Sequence, residues 1–151
     1  MSRSFRLPRV ACVLLSAAIL GLSGCADKLP PVFPVTGTIV LKGGKGDVRK
    51  LKDMTLQFQS VTDPEEMPGA TIQADGTFTL YCMRGKKVVP GVKEGTYRAR
   101  IMISTGDYNP EHPPTKLIPK RYLSFNTSPL EYTVAPGENQ ITVEIETDGG
   151  H

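Results

Sequence analysis

Apolar and polar residues alternate with a period of two from Val35 onward, and this pattern constrains the fold more than any other feature of the chain. A β-strand points successive side chains to opposite faces, so the alternation predicts strands with one buried face and one solvent-exposed face. In the clearest run, Tyr97 and Ile101 share a face with Ala99, and Arg98 and Arg100 face the other way. The predicted strands are 35–41, 54–59, 70–73, 77–82, 97–103, 130–134 and 141–146.

Turn-forming residues separate these runs. Asp75-Gly76 is a hairpin signal between residues 70–73 and 77–82, because glycine adopts positive φ without steric cost. Pro90-Gly91 precedes the fourth long run, and residues 136–139 link the last two. No window of a dozen residues after position 24 has the period of an amphipathic helix. The sequence therefore predicts an all-β protein, a seven-stranded antiparallel β-sandwich with a core of alternate inward-facing residues.

The first 25 residues carry a different signal. Arg3, Arg6 and Arg9 precede an uncharged apolar stretch over residues 10–22, which ends in Leu22-Ser23-Gly24-Cys25. A helix needs about 20 apolar residues to cross a bilayer, so the stretch fits a signal-peptide core better than a membrane span. The motif resembles the lipobox of bacterial lipoproteins. That resemblance implies cleavage after Gly24 and attachment of diacylglycerol, with further acylation such as palmitate, at Cys25.

Cleavage after Gly24 would change the net charge of the chain, and with it what the composition implies about partners. All three basic residues of the signal are removed, so the 18 basic residues fall to 15, which equals the number of acidic residues. The balanced mature chain argues against nucleic acid binding, which needs a clustered basic surplus. Cys82 would be the one unmodified cysteine, so no intramolecular disulfide is predicted.

The chain divides into four predicted segments. Residues 1–24 are the signal peptide, and residues 25–34 form a lipid-anchored tether stiffened by three prolines. Residues 35–147 form one β-sandwich domain, since 127 mature residues suffice for one ordinary domain and not for two. Residues 148–151 are a disordered tail.

Several segments together are similar to carboxypeptidase-regulatory-like domains. Residues 35–39 resemble their V-x-G-x-V opening strand, residues 70–78 their T-x-A-D-G-x-F hairpin, and residues 91–100 their P-x-G-x-Y-x-V strand. Residues 118–130 resemble an I-P-x-x-Y … T-S-x-L segment of small lipoproteins built from this domain. The resemblance implies a transthyretin-like (prealbumin-like) sandwich with no activity of its own. The chain departs from the pattern over residues 81–93, which are longer and more basic through Arg84, Lys86 and Lys87.

Catalytic and metal-binding motifs are sparse. His112 and His151 lie at spacings that do not suggest a zinc site, so His112 is interpreted as a solvated loop residue. Residues 43–46 resemble part of a phosphate-binding loop, but no Ser or Thr follows the lysine, and a hairpin loop is the better interpretation. Cys82 shares the phase of Phe78 and Leu80, which predicts a buried, inert thiol.

The carboxylates also form no catalytic pair. Glu65 and Glu66 belong to a proline-flanked loop, and Glu144 and Glu146 lie on the exposed face of the last predicted strand. Two of the outward residues of the strand 97–103, Arg98 and Arg100, are basic. If the two strands are adjacent, Arg98 and Arg100 would pair with Glu144 and Glu146.

Two functions remain open. The first is a non-catalytic structural or interaction module of the cell envelope, anchored to membrane lipid through Cys25. The second is an envelope lipoprotein that binds a carbohydrate or peptide. Sugar sites usually present exposed aromatic rings, but the chain has no Trp, and Tyr97 and Tyr132 are in core phase. Exposed aromatics are predicted only at Tyr81, Tyr108 and Tyr122, which favours the first function.

The remaining expectations concern partners and location. We expect no enzyme activity, no cofactor, no metal and no nucleic acid partner, and a monomer that contacts envelope proteins or glycans. Ala26 follows the lipidated cysteine, where an aspartate would favour retention in the inner membrane under the common sorting rule. The outer membrane is therefore the expected location. No role for the basic residues between Arg84 and Lys87 follows from the sequence.

Overall fold

The protein is all-β. A computed structural model describes residues 29–43, 46–103 and 118–147, which contain nine strands and two short 3-10 helices. The 3-10 helices are η1 (Val48–Leu51) and η2 (Lys120–Leu123). The strands are β1 (Val35–Lys42), β2 (Thr55–Ser60), β3 (Gly69–Thr71), β4 (Thr77–Thr79), β5 (Tyr81–Arg84), β6 (Lys87–Pro90), β7 (Gly95–Met102), β8 (Glu131–Val134) and β9 (Asn139–Glu146).

The strands form two sheets, which confirms the predicted β-sandwich class. One sheet has six strands in the order β6-β5-β3-β2-β7-β8, and the other has three in the order β4-β1-β9. All pairs in the first sheet are antiparallel, but β1 and β9 pair in parallel from Val35↔Asn139 to Lys42↔Glu146. β8 belongs to the six-stranded sheet, so the chain crosses to the three-stranded sheet before β9 begins. This crossover allows β9 to lie parallel to β1.

The count of seven strands and the purely antiparallel arrangement are corrected by this topology. The predicted strand 77–82 is two strands: β4 belongs to the three-stranded sheet and β5 to the six-stranded sheet, with buried Leu80 between them. Residues 87–90, which are not among the predicted strands, form β6, which pairs with β5 from Tyr81↔Pro90 to Arg84↔Lys87. Alternation continues through Leu80 without a break, so the sequence pattern does not show the change of sheet.

The core lies between the sheets and uses the inward positions of nearly every predicted run. Val35, Ile39, Leu56, Phe58 and Val143 are almost completely buried. Other core side chains are Ile72, Phe78, Leu80, Tyr97, Ala99, Ile101, Leu130, Val134, Ile141 and Ile145.

Gly37 is required by the close packing of the small sheet. It lies on β1 between Phe78 of β4 and Ile141 of β9. A Cβ atom at this position would collide with the carbonyl oxygen of Ile141 and with the ring of Phe78. Since the collision involves backbone on one side, no side-chain rotation could relieve it fully.

A tight turn forms at Asp75-Gly76, but the hairpin predicted there is wrong, because β3 and β4 do not pair with each other. The Asp75 Oδ1 atom accepts hydrogen bonds from the Thr77 backbone N–H at 2.9 Å and from the Thr77 hydroxyl at 2.7 Å. The same two hydrogen bonds, the hydroxyl's first, hold the pKa of Asp75 below its usual value. Gly76 has φ +83°, which suits glycine. The strands on either side, β3 and β4, belong to different sheets, so the turn transfers the chain between sheets.

Residues ahead of β1 lie against the sandwich. Phe33 and Val92 form an isolated bridge with two backbone hydrogen bonds, at 2.7 and 2.9 Å. The Arg84 guanidinium donates to the Pro30 carbonyl at 2.6 Å. The chain thus reaches β1 along the β5–β6 side of the sandwich, and the predicted tether boundary at residue 34 remains a prediction.

Candidate functional site: a threonine-lined groove beside a basic hairpin

An open groove of about 770 Å³ lies on the surface where β3 and β4 approach each other. Its lining combines threonine hydroxyl groups with the amides of Gln73 and Gln140, the ring of Tyr81 and the apolar side chains of Phe78 and Val88. Among the described residues that line it, none carries a charge at neutral pH. The six threonines of the lining are Thr36, Thr38, Thr55, Thr71, Thr77 and Thr79.

Strand register brings these threonines together. On β1 and β4, Thr36 lies opposite Thr79 and Thr38 opposite Thr77. On β2 and β3, Thr55 lies opposite Thr71. Alternation holds all of them away from the core, and β-branched threonine is favoured in strands. The described lining therefore offers hydroxyl donors and acceptors to a neutral polar ligand and has no ionised group for acid–base chemistry.

The β5–β6 hairpin borders the groove through Tyr81 and Val88. Its outer face is apolar: Tyr81 is 44% exposed, Met83 61% and Val88 64%. Met83 and Val88 are directly paired across the hairpin, and Tyr81 is paired with exposed Pro90. Outward positions on the other strands are mainly polar, whereas these three apolar side chains lie together on one face of the hairpin.

The turn of the same hairpin is basic. Arg84 ends β5, Lys87 begins β6, and exposed Lys86 lies between them after Gly85. Gly85 has φ +61°, and among the described residues nothing lies within 4 Å of where a Cβ would be. The hairpin thus combines an exposed apolar face with three basic side chains at its tip.

The predicted buried thiol is confirmed. Cys82 is free and only 3% exposed, on the inward face of β5 between the exposed side chains of Tyr81 and Met83. Its direct partner across the hairpin is Val89. The alternation of the sequence is sufficient to predict that Cys82 is buried, because alternate residues from Phe78 through Leu80 to Cys82 all stay buried across the change of sheet.

The predicted exposure of Tyr122 is wrong. Its side chain is 2% exposed, and its hydroxyl accepts a hydrogen bond from the Glu146 backbone N–H at 3.0 Å. The residue belongs to η2, a 3-10 helix, where a period of two gives no guide to burial. Tyr81 is exposed as predicted, and Tyr108 lies outside the described residues.

The expected ion pairs between Arg98 or Arg100 and the last strand do not form, because β7 and β9 belong to different sheets. Arg98 instead lies 3.8 Å from Glu131 of the adjacent β8. Arg100 donates two hydrogen bonds to the Gln57 side chain, at 3.0 and 2.8 Å.

The two glutamates of the last strand have partners elsewhere. Glu144 pairs with Lys42 at 2.6 Å and Glu146 with Arg121 at 3.3 Å. In the 61–68 loop, Glu66 is mostly buried and pairs with Lys93 at 2.5 Å. Each of these three carboxylates faces a cation, so none of the three is paired with a second carboxylate for acid–base work.

The predicted cleavage and lipidation residues, Gly24 and Cys25, and the two histidines weighed as metal ligands, His112 and His151, lie outside the described residues. Within the described ranges, no group of three or more His, Cys, Asp or Glu side chains could hold a metal ion. In the same part of the chain, no helix is long and apolar enough to cross a membrane.

The groove itself is missed by sequence reasoning. Its signal is the Thr-x-Thr pattern at Thr36–Thr38 and again at Thr77–Thr79. Each pattern alone indicates only the exposed face of a strand. The pairing of β1 with β4, which makes the two patterns one surface, depends on the crossing of the chain between sheets.

Comparisons with known proteins add little to the geometry. Neither a family model nor a curated protein matches the chain, so the resemblance to carboxypeptidase-regulatory-like domains remains a prediction. A DUF3823 family protein from Parabacteroides merdae is similar over 77% of this chain and 46% of its own, at 16% identity and a TM-score of 0.41. The pilus-presented adhesin Spy0125 is similar over 80% of this chain and 28% of its own, at 14% identity and a TM-score of 0.34. The chain thus spans less than half the length of either structure.

Proposed function

We propose that this protein is a non-catalytic lipoprotein of the bacterial cell envelope, a β-sandwich interaction module held at a membrane through acylated Cys25. The observation that carries the proposal is the Leu22-Ser23-Gly24-Cys25 motif behind a basic and then apolar segment. The motif ends ten residues before β1 begins at Val35, so little chain separates the anchor from the folded domain.

The folded part is consistent with a binding role rather than a reaction. The described lining of its groove is uncharged, and the carboxylates of Glu66, Glu144 and Glu146 are each paired with a cation. Cys82 is buried, so its thiol is not presented to a substrate. Ala26 after the anchor supports an outer-membrane location, facing either the periplasm or the surface.

Replacement of Cys25 tests the anchor. We expect Cys25→Ala to leave an uncleaved precursor that takes up no labelled fatty acid, whereas a Cys82→Ala control remains lipidated. Acyl chains contribute about 0.8 kcal/mol per buried CH₂, so the wild-type protein should stay with membranes through carbonate washing. Cleavage after Gly24 together with fatty-acid labelling of Cys25→Ala would contradict the proposal.

A second function, recognition of an uncharged glycan or extended peptide, is favoured by the threonine-lined groove. Hydroxyl and amide side chains suit hydrogen bonding to such a ligand, and Tyr81 supplies one exposed ring at the rim. The test is cosedimentation of the lipoprotein with isolated envelope glycan. We expect Thr36→Val with Thr38→Val to abolish cosedimentation and Thr133→Val, an exposed change on β8, to preserve it. Equal sedimentation of both variants would exclude the groove.

A further inference from the structure

We propose that the β5–β6 hairpin contacts the lipid surface and fixes the orientation of the sandwich on its membrane. The proposed contact uses the apolar face of Tyr81, Met83 and Val88 and the basic tip formed by Arg84, Lys86 and Lys87. It rests on the proposed anchoring through Cys25 and adds a second, non-covalent attachment to the same membrane.

The first argument is where the chain meets the domain. The Arg84 guanidinium holds the Pro30 carbonyl at 2.6 Å, at the tip of the hairpin. Pro30 is five residues from Cys25, and a fully extended chain spans at most about 3.5 Å per residue. The acylated residue is therefore within about 18 Å of Pro30, which the hairpin tip holds through Arg84, whatever path the intervening chain takes.

The second argument is the direction of the hairpin. The bridge of Phe33 with Val92 and the hydrogen bond from the Leu80 N–H to the Val35 carbonyl place the start of β1 beside the base of the hairpin. From there β1 runs away along β4, in the register Thr36↔Thr79 and Thr38↔Thr77, while β5 runs the other way to Arg84. The hairpin tip therefore projects at the end of the sandwich from which the anchor segment departs.

The third argument is chemical. An interface of headgroups and acyl chains accepts apolar side chains beside basic ones, and tyrosine suits it because its ring is apolar and its hydroxyl polar. Anionic headgroups attract Lys and Arg side chains near the surface. The exposed acidic residues Asp63 and Glu65 lie in the loop that joins β2 to β3, and Glu94 lies on the approach to β7, so none of the three belongs to the hairpin itself.

Two single-tryptophan variants test the orientation, since the chain contains no Trp. Val88→Trp places the probe on the proposed lipid-facing side, where Val88 is 64% exposed. Val40→Trp is the matched control on the outer face of β1, where Val40 is 40% exposed. Val40 lies five residues along β1 from its start, about 17 Å toward the opposite end.

Each full-length lipoprotein would be reconstituted into vesicles of phosphatidylethanolamine and phosphatidylglycerol with lipids brominated high in the acyl chains. In Val88→Trp we expect the bromine to quench about half of the indole fluorescence, with a blue-shifted emission, because interfacial side chains reach about 5–10 Å into the bilayer. In Val40→Trp we expect the fluorescence to stay nearly unchanged. Equal, weak quenching of both variants overturns the hairpin proposal. Flotation with the vesicles and the mass of the Cys25 peptide report on anchoring separately.

A charge comparison tests the basic tip. Lys86→Gln with Lys87→Gln removes two charges from the hairpin, and Lys50→Gln with Lys52→Gln removes two exposed charges beside η1 at the opposite end. In the Val88→Trp background, we expect the first pair to reduce quenching about twofold and the second to leave it unchanged. The difference should disappear in vesicles of neutral phosphatidylcholine, which offer no anionic headgroup.

Two outcomes of these measurements would contradict the proposal. Identical behaviour of the two charge pairs would exclude an electrostatic contact between the hairpin tip and the lipid. A blue-shifted emission of Val88→Trp without any bromine quenching would contradict the lipid contact and indicate that a second copy of the chain covers this face instead.

Discussion

The three-stranded sheet and the β5–β6 hairpin use the same strand periodicity for opposite purposes. In β9 the inward residues are Ile141, Val143 and Ile145, and the outward residues are polar or acidic. In the hairpin the inward position of Cys82 is buried, but the outward positions of Met83 and Val88 are apolar and more than half exposed.

This difference separates the residues that stabilise the fold from the residues that are available for contact with another surface. Apolar groups that face the core lower the free energy of the folded state, at about 25 cal/mol per Å² of area removed from water. The same groups facing solvent contribute almost nothing to folding, and a cluster of them marks a contact surface. Substitutions in the small sheet should therefore unfold the protein, and those on the outer face of the hairpin should spare the fold.

The largest expected effect is at glycine. Gly37→Ala should reduce the free energy of unfolding by at least about 3 kcal/mol, because the new methyl group meets the Ile141 carbonyl and the Phe78 ring. Gly85→Ala in the hairpin should cost only about 1 kcal/mol, for its positive φ, because no described atom lies within 4 Å of the new methyl group. Urea unfolding followed by circular dichroism measures both. Similar values for the two variants would show that β1 is not packed as described.

A matched pair of valines gives the next largest difference. Val143→Ala should cost about 2 kcal/mol, since it removes two methyl groups from a fully buried position. Val88→Ala should change stability by less than about 0.5 kcal/mol, because its side chain is mostly exposed. The comparison fails if Val88→Ala is as damaging as Val143→Ala in the same urea titration.

Neighbouring residues of β5 sharpen the comparison within one strand. Cys82→Ser should cost about 1–3 kcal/mol because it places a hydroxyl group in a buried apolar site, and Met83→Ser should cost little. A thiol reagent should label native Cys82 slowly and denatured Cys82 quickly, because burial blocks access. Rapid labelling of the native protein, or a disulfide-linked dimer, would contradict the inward orientation of this strand.

The last comparison concerns a dependence of stability on alkaline pH. Burial first, and then the nearby Glu66 and Glu144 respectively, raise the pKa of Tyr97 and of Tyr132 to about 12 from 10. Between these values the unfolded chain has lost the phenolic protons and the folded chain keeps them, so the free energy of unfolding should fall as pH rises from 10 to 12.

Tyrosine-to-phenylalanine variants test which phenol causes the fall in the free energy of unfolding between pH 10 and 12. Tyr132→Phe should flatten the decline of stability between pH 10 and 12, and Tyr81→Phe, on the exposed face of the hairpin, should leave it unchanged. An unchanged slope in Tyr132→Phe would mean that this phenol does not contribute to the alkaline loss of stability.

The layers of this fold are better predicted from the sequence than its connections. Alternation places Val35, Ile101 and Val143 in the core correctly, because burial of one strand face depends only on local periodicity. It does not report which strands are neighbours. The change of sheet at Leu80 and the parallel pairing of β1 with β9 depend on long-range packing, so the predicted partners of Arg98 and Arg100 are wrong.

The residues of the candidate site can likewise be recognised in the sequence, but their spatial neighbours cannot. The basic residues from Arg84 to Lys87 stand out in the sequence, but their position beside Pro30 depends on a contact between residues 54 positions apart. The groove threonines are ordinary exposed strand residues until β1 pairs with β4. The burial of Tyr122 is not predicted because a 3-10 helix replaces strand periodicity at that point.

The central claim is that acylated Cys25 holds this sandwich at a membrane, and the mass of the N-terminal peptide tests it most directly. The protein would be extracted from its native membrane with detergent and digested with trypsin. The account predicts a peptide that begins at Cys25 and carries the mass of a diacylglycerol thioether, with or without a further acyl chain. A peptide that begins before Gly24, or an unmodified Cys25, would contradict it.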